Sequence, residues 1–157
     1  MQRIALASSL VVVGISGTAL ADGLLQTCEN VPFDQANCVR ALACLGTEGV
    51  HFDGMARGWD AGTLSGELSD GAACVGRWSS DGPLGTGIAD LVCDDGTEAD
   101  IVYYTQDNVT GTVIGRGMDN RGRAIRAWSG LNVLEFLTPD GQLGAELPCG
   151  DAPVPIS

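Results

Sequence analysis

The chain contains no lysine and a single histidine, His51. Every basic residue is arginine, and with abundant Ala, Gly and Asp this reads as the codon bias of a GC-rich bacterial genome. Positive charge is scarce altogether: 8 basic residues stand against 20 acidic ones, a formal net charge of −12. A chain this acidic repels the phosphates of nucleic acid and the headgroups of anionic membranes, which argues against both as partners. Paired cysteine spacing is also missing. Zinc ribbons and fingers need closely spaced cysteine pairs, whereas the six cysteines here fall at 28, 38, 44, 74, 93 and 149. No G-x-S-x-G elbow and no EF-hand loop occurs. Gly115-Arg116-Gly117 precedes a turn, not a helix, and lacks the third glycine of a nucleotide loop. Nothing in the pattern calls for a cofactor or a metal, and no nucleophile–base constellation marks an enzyme.

What is present begins with an export signal. Arg3 supplies a short positive region, Ile4 to Ile15 is a mostly apolar core, and Ala19-Leu20-Ala21 is an A-x-A cleavage site before Asp22. Residues 1–21 therefore read as a secretory signal peptide, too short and too interrupted by Gly and Ser to span a bilayer comfortably. No later segment could cross a membrane as a helix, so no membrane insertion is expected after cleavage. Removing Arg3 leaves seven arginines against 20 acids, a charge of −13. Six cysteines outside the signal fit three disulfides in an oxidising compartment, hence a periplasmic or secreted bacterial protein.

The sequence from 22 to 157 reads as one domain in three zones. Residues 22–61 form a Cys-rich N-terminal segment. A short helix is predicted there, from Asp34 to Leu45, with Cys38, Leu42 and Leu45 at i, i+4 and i+7. Residues 62–137 carry strand-like runs separated by turn signals: Asp70-Gly71, Asp81-Gly82-Pro83, Asp94-Asp95-Gly96, Asp107-Asn108 and Asn120-Arg121-Gly122. This is the rhythm of an antiparallel β-meander. Small residues opposite large ones suggest that it curls into a small barrel, because glycine permits the bending that curvature requires. Closing eight strands would need two from the flanking zones. Residues 138–157 form a C-terminal tail pinned by Cys149.

Register can be read from the residues themselves. A turn centred between Pro83 and Leu84 sets Cys74 opposite Cys93, Trp78 opposite Ala89, and Arg77 opposite Asp90. A slip of one residue destroys all three matches, so Cys74–Cys93 is the expected disulfide. The Asp94-Asp95-Gly96 turn then sets Leu91 against Ala99, Ala89 against Ile101 and Gly87 against Tyr103. Cys38 and Cys44, on one short helix with diverging side chains, should not pair with each other. Cys28 takes one of them, and Cys149 takes the other.

The fold expected is thus mainly β, an antiparallel meander curled into a barrel or barrel-like sheet, with one short N-terminal helix and disulfides. Four arginines, Arg116, Arg121, Arg123 and Arg126, straddle one turn. They can serve as a patch for an acidic protein or a small anionic ligand, or they can neutralise nearby Asp and Glu. If Arg116 and Arg126 face inward with Ile114 and Trp128, they line a polar cavity. His51 with Asp53 could supply half of a triad, and Ser129 is an unsupported nucleophile. Asp94, Asp95, Glu98 and Asp100 gather acidic oxygens as a calcium loop would. Tyr104, outside the sheet beside Val102, makes a modest apolar patch. Asn108-Val109-Thr110 is a glycosylation sequon without meaning in most bacteria. The leading functional expectation is a disulfide-stapled binding or interaction module. A small-ligand carrier with a barrel cavity comes second, and a hydrolase built around His51 third.

Overall fold

The computed structural model describes residues 28–131, 133, 146–150 and 154–155. The expected signal peptide and much of the C-terminal tail lie outside the described residues. Eight strands follow in order: β1 (Cys38–Leu45), β2 (His51–Trp59), β3 (Ala61–Leu68), β4 (Ala73–Ser79), β5 (Gly87–Cys93), β6 (Glu98–Asp107), β7 (Thr112–Asp119) and β8 (Ala124–Ser129). Each pairs antiparallel with the next, and β8 returns to β1, closing the sheet into a barrel. A two-stranded pair, β9 (Glu146–Leu147) with β10 (Val154–Pro155), stands apart from the barrel sheet. Closure removes the free strand edges that would otherwise template aggregation.

The turns are made by the residues that mark them in the sequence. Gly96 and Gly122 hold φ of +80° and +77°, the left-handed conformation that closes a three-residue hairpin loop. A short 3₁₀ turn over Pro83–Gly85 joins β4 to β5. Cys74 lies opposite Cys93, Trp78 opposite Ala89 and Gly87 opposite Tyr103, the register that the sequence matches specify. Disulfides join Cys74 to Cys93, Cys28 to Cys38 and Cys44 to Cys149.

The N-terminal helix is not there. Residues 32–36 form turns, and Cys38–Leu45 is strand β1. The reason lies in its two buried faces. Val39, Ala41, Ala43 and Leu45 point into the barrel, while Leu42 and Cys44 are covered outside by Val133, Leu147 and Cys149. A strand buried on both sides loses the period-2 alternation that identifies strands, so its apolar run imitates a helix face. The N-terminal zone thus contributes β1 and β2, the two strands that complete the barrel.

The two ends of the barrel differ. At one end, lined by Leu45, Phe52, Leu68, Cys74, Cys93, Ala99 and Ile125, the inward side chains are all buried and pack into one core. At the other end many inward positions are small, Gly58, Gly87, Ala89, Gly115, Ala127 and Ser129, with the large rings of Trp78 and Tyr103 among them. There Ala89, Ile101, Val113 and Ala127 remain partly exposed although they face inward. The barrel is a cup, filled at one end and open at the other.

Candidate functional site

An internal cavity of about 130 Å³ opens at this end, walled by Val39, Trp78, Ala89, Ile101, Tyr103 and Ala127 among others and floored by Leu45, Phe52, Leu91, Ala99 and Ile125 of the packed core. Its wall is overwhelmingly apolar. Among the described residues Asp60 is the one charged residue on it, and no arginine and no histidine of theirs lines it.

Two glycines give the wall its shape. Trp78 reaches across Gly62 of β3 and donates its indole N–H to the Arg57 carbonyl of β2, at 3.1 Å. A Cβ on Gly62 would stand 1.7 Å from that carbonyl oxygen, so only glycine lets the ring span two strands. The Tyr103 ring covers Gly87, where a Cβ would collide with it at 2.0 Å. The large rings therefore press against the wall instead of filling the lumen.

Tyr103 is buried, 7 % exposed, and its hydroxyl makes no hydrogen bond of close geometry. Among the described residues it is the one fully buried side-chain polar atom left in that condition. Burial pushes the phenol above its ordinary pKa, and a weak hydrogen bond from the Ser80 hydroxyl at the rim, which favours the ionised form, offsets this only in part. The site therefore holds a neutral, desolvated phenol with Ser80 as its one hydrogen-bonding neighbour. Around the mouth stand Asn37, Trp59 and Asn108. Asn37 is fixed by bonds from Val31 N (2.8 Å) and Asn30 Nδ2 (3.0 Å), and Phe33 packs against Trp59 with ring centroids 4.7 Å apart and the rings tilted by 43°. The turns at this end carry Asp60, Asp81 and Asp107, all exposed.

The arginine hairpin lies at the other, filled end. Arg121 pairs with the Asp95 carboxylate at 3.0 Å and also donates to the Asp95 carbonyl. Arg123 Nε reaches the buried carboxylate of Asp119 at 2.6 Å. Arg126 donates to the Pro148 carbonyl and lies 5.8 Å over the Trp128 ring. Arg116 is exposed and faces Arg126 across the sheet. Both sit on the outer surface with Ile114 and Trp128, so they do not line the interior. The inward residues of β7 and β8 are instead Gly115, Gly117, Ile125 and Ala127, because alternation starts from the inward Asp119 and Ile125.

The remaining candidates are dispersed. His51 Nδ1 lies 3.1 Å from the Gly49 carbonyl oxygen, and Asp53 is engaged by the Arg40 guanidinium through two hydrogen bonds. Ser129 sits at the opposite end of the barrel and donates to the Gly111 carbonyl at 2.9 Å. His51, Asp53 and Ser129 do not converge. Asp95 caps its own turn, accepting from Thr97 N and Thr97 Oγ1 at 2.9 Å each, and those bonds with Arg121 hold its carboxyl below the usual range. Among the described residues no group of three or more His, Cys, Asp or Glu is placed to hold a metal ion. Tyr104 and Val102 are exposed on the outer face of β6.

Comparison with protein-family models, with curated proteins and with solved structures finds no match. The reading of the site rests on its geometry.

Proposed function

We propose that this is an exported, disulfide-stapled binding domain that holds a small ligand in the open end of its barrel and performs no chemistry on it. The observation that carries this reading is the asymmetric interior: one end packed solid, the other hollow, apolar and reached from solvent. Concave, mostly apolar sites with a few polar groups are where small molecules bind, and the mouths of β-barrels are a common location. The three disulfides support an oxidising compartment outside the cytoplasm. Glu67, Asp90, Asp100 and Arg116 stand exposed on the outer face of the barrel strands. That charge is foreign to a lipid-facing band and supports a domain surrounded by water. No helix among the described residues is long and apolar enough to cross a membrane. His51, Asp53 and Ser129 being apart, a hydrolytic role gains no support.

The test is a titration of the purified protein with small neutral molecules, followed by tryptophan fluorescence, since Trp59 and Trp78 line the cavity. A saturable change in emission with a matching rise in melting temperature is expected, because a ligand that binds only the folded state stabilises it. Unchanged emission and melting across a panel of ring-sized compounds would remove the lumenal reading.

A further inference from the structure

We infer that the ligand is an uncharged, ring-sized molecule bearing one hydrogen-bond acceptor, a carbonyl or ether oxygen, and that the Tyr103 hydroxyl donates to it. This rests on the lumenal reading and names its chemistry. Size comes first. A cavity of about 130 Å³ is well short of the ~300 Å³ typical of sites for drug-sized ligands. It is close to the ~150 Å³ apolar cavity that is known to accept a benzene ring. The guest is therefore a single ring or a chain of similar bulk.

Charge comes next. Among the described residues no cation lines the cavity wall, its one charged residue is Asp60, and the exposed carboxylates of Asp81 and Asp107 lie in neighbouring turns. An anion entering here would lose its hydration and meet like charge, which disfavours it strongly. Of the arginines that could have received one, Arg121, Arg123 and Arg126 are occupied with Asp95, Asp119 and Pro148, and Arg116 lies on the outer face of the barrel.

Polarity completes the description. A buried hydroxyl without a well-formed hydrogen bond is costly, and such groups are rare in folded proteins unless something else takes up the bond. Tyr103 has only the weak contact with Ser80, which favours the phenol oxygen as acceptor. Tyr103 keeps its O–H neutral, since burial opposes ionisation, so the group acts as a donor to an acceptor on the guest. A hydrocarbon of the same shape would fill the space and leave the hydroxyl with Ser80 alone. A site built around a hydrogen bond discriminates against the analogue lacking it.

Three probes of similar bulk separate these statements: cyclohexanone, methylcyclohexane and cyclohexanecarboxylate, each titrated by calorimetry or tryptophan fluorescence into the wild type and Tyr103→Phe. The phenylalanine variant keeps the ring over Gly87, and its melting curve verifies that it folds. Cyclohexanone should bind the wild type most tightly and the carboxylate least. In Tyr103→Phe the ketone should weaken by about three- to tenfold, the worth of one net hydrogen bond, with methylcyclohexane unchanged. If the ketone and the hydrocarbon bind the wild type equally and Tyr103→Phe alters neither, the anchoring role of Tyr103 is overturned while lumenal binding stands. Tightest binding by the carboxylate would overturn the charge argument. If none of the three binds, the lumenal reading falls, and this inference with it.

Discussion

Two buried polar side chains, Tyr103 and Asp119, sit near opposite ends of the same barrel and have opposite fates. Burial alone would push the Asp119 carboxyl up. It is outweighed by bonds from Arg123 N (2.8 Å), Arg123 Nε (2.6 Å) and Arg121 N (3.0 Å), which hold it below the usual carboxylate range. A carboxyl whose folded pKa is depressed contributes stability that is present above its unfolded value, about 3.9, and is lost as pH falls through the folded value. Asp119→Asn should therefore cost roughly 1–3 kcal/mol at neutral pH, because Arg123 loses its buried charged partner. It should also flatten the loss of stability below about pH 4. The slope should shrink without vanishing, since Asp95 and Asp107 are depressed as well. Urea unfolding of both proteins between pH 2 and pH 7 checks this, and parallel curves would show that Asp119 is not the titrating group. Asp119 could not be singled out from the sequence. Nothing in Met118-Asp119-Asn120 distinguishes an inward carboxylate capping a turn from the other acids of this chain.

At the scale of elements, what was legible and what was not follows from which faces are buried. The hairpins from β3 to β8 bury one face each, so alternation and turn residues revealed their register, down to the partners of Cys74 and Tyr103. β1 was misread because the C-terminal segment covers its outer face, a fact stored more than 85 residues away in Val133, Leu147 and Cys149. The Cys44–Cys149 disulfide, with a sequence separation of 105, holds that cover in place. Replacing both cysteines, Cys44→Ser with Cys149→Ser, should cost on the order of 2–4 kcal/mol through the released chain entropy of a long loop. It should also uncover Leu42 and Leu147, which are 1 % and 0 % exposed. A shift in the denaturation midpoint together with new binding of a hydrophobic dye is the expected result. A midpoint shift without dye binding would mean that the segment stays docked without its covalent tie.

For the whole molecule, the cup is written in small inward residues at one end of the barrel. In β5 the inward series runs Gly87, Ala89, Leu91, Cys93, and in β8 it runs Ser129, Ala127, Ile125, small at the open end. β4 and β6 run the other way, with Trp78 and Tyr103 at the open end, where Gly62 and Gly87 leave room for their rings against the wall. The small residues were visible in the sequence once the register was known. Their meaning was not, because small inward residues serve curvature and cavity alike, and only closure of β8 on β1 decides between them. A packed interior and a hollow one respond oppositely to added volume. Ala89→Leu adds three carbons at the open end, between Trp78 and Ile101 in register. Where space exists, each buried methylene adds about 0.8 kcal/mol, so stability should hold or rise while probe binding is lost. Leu91→Ala, two residues along the same face, should instead cost roughly 2–5 kcal/mol, because Leu91 is buried in the core at the floor of the cavity and its loss leaves a larger void. Melting curves and fluorescence titrations of the two variants measure both consequences. If Ala89→Leu proved as damaging as Leu91→Ala, the open end would be packed and the cup reading wrong. If it folded normally and bound the probes as well as the wild type, the binding site would lie elsewhere on the barrel.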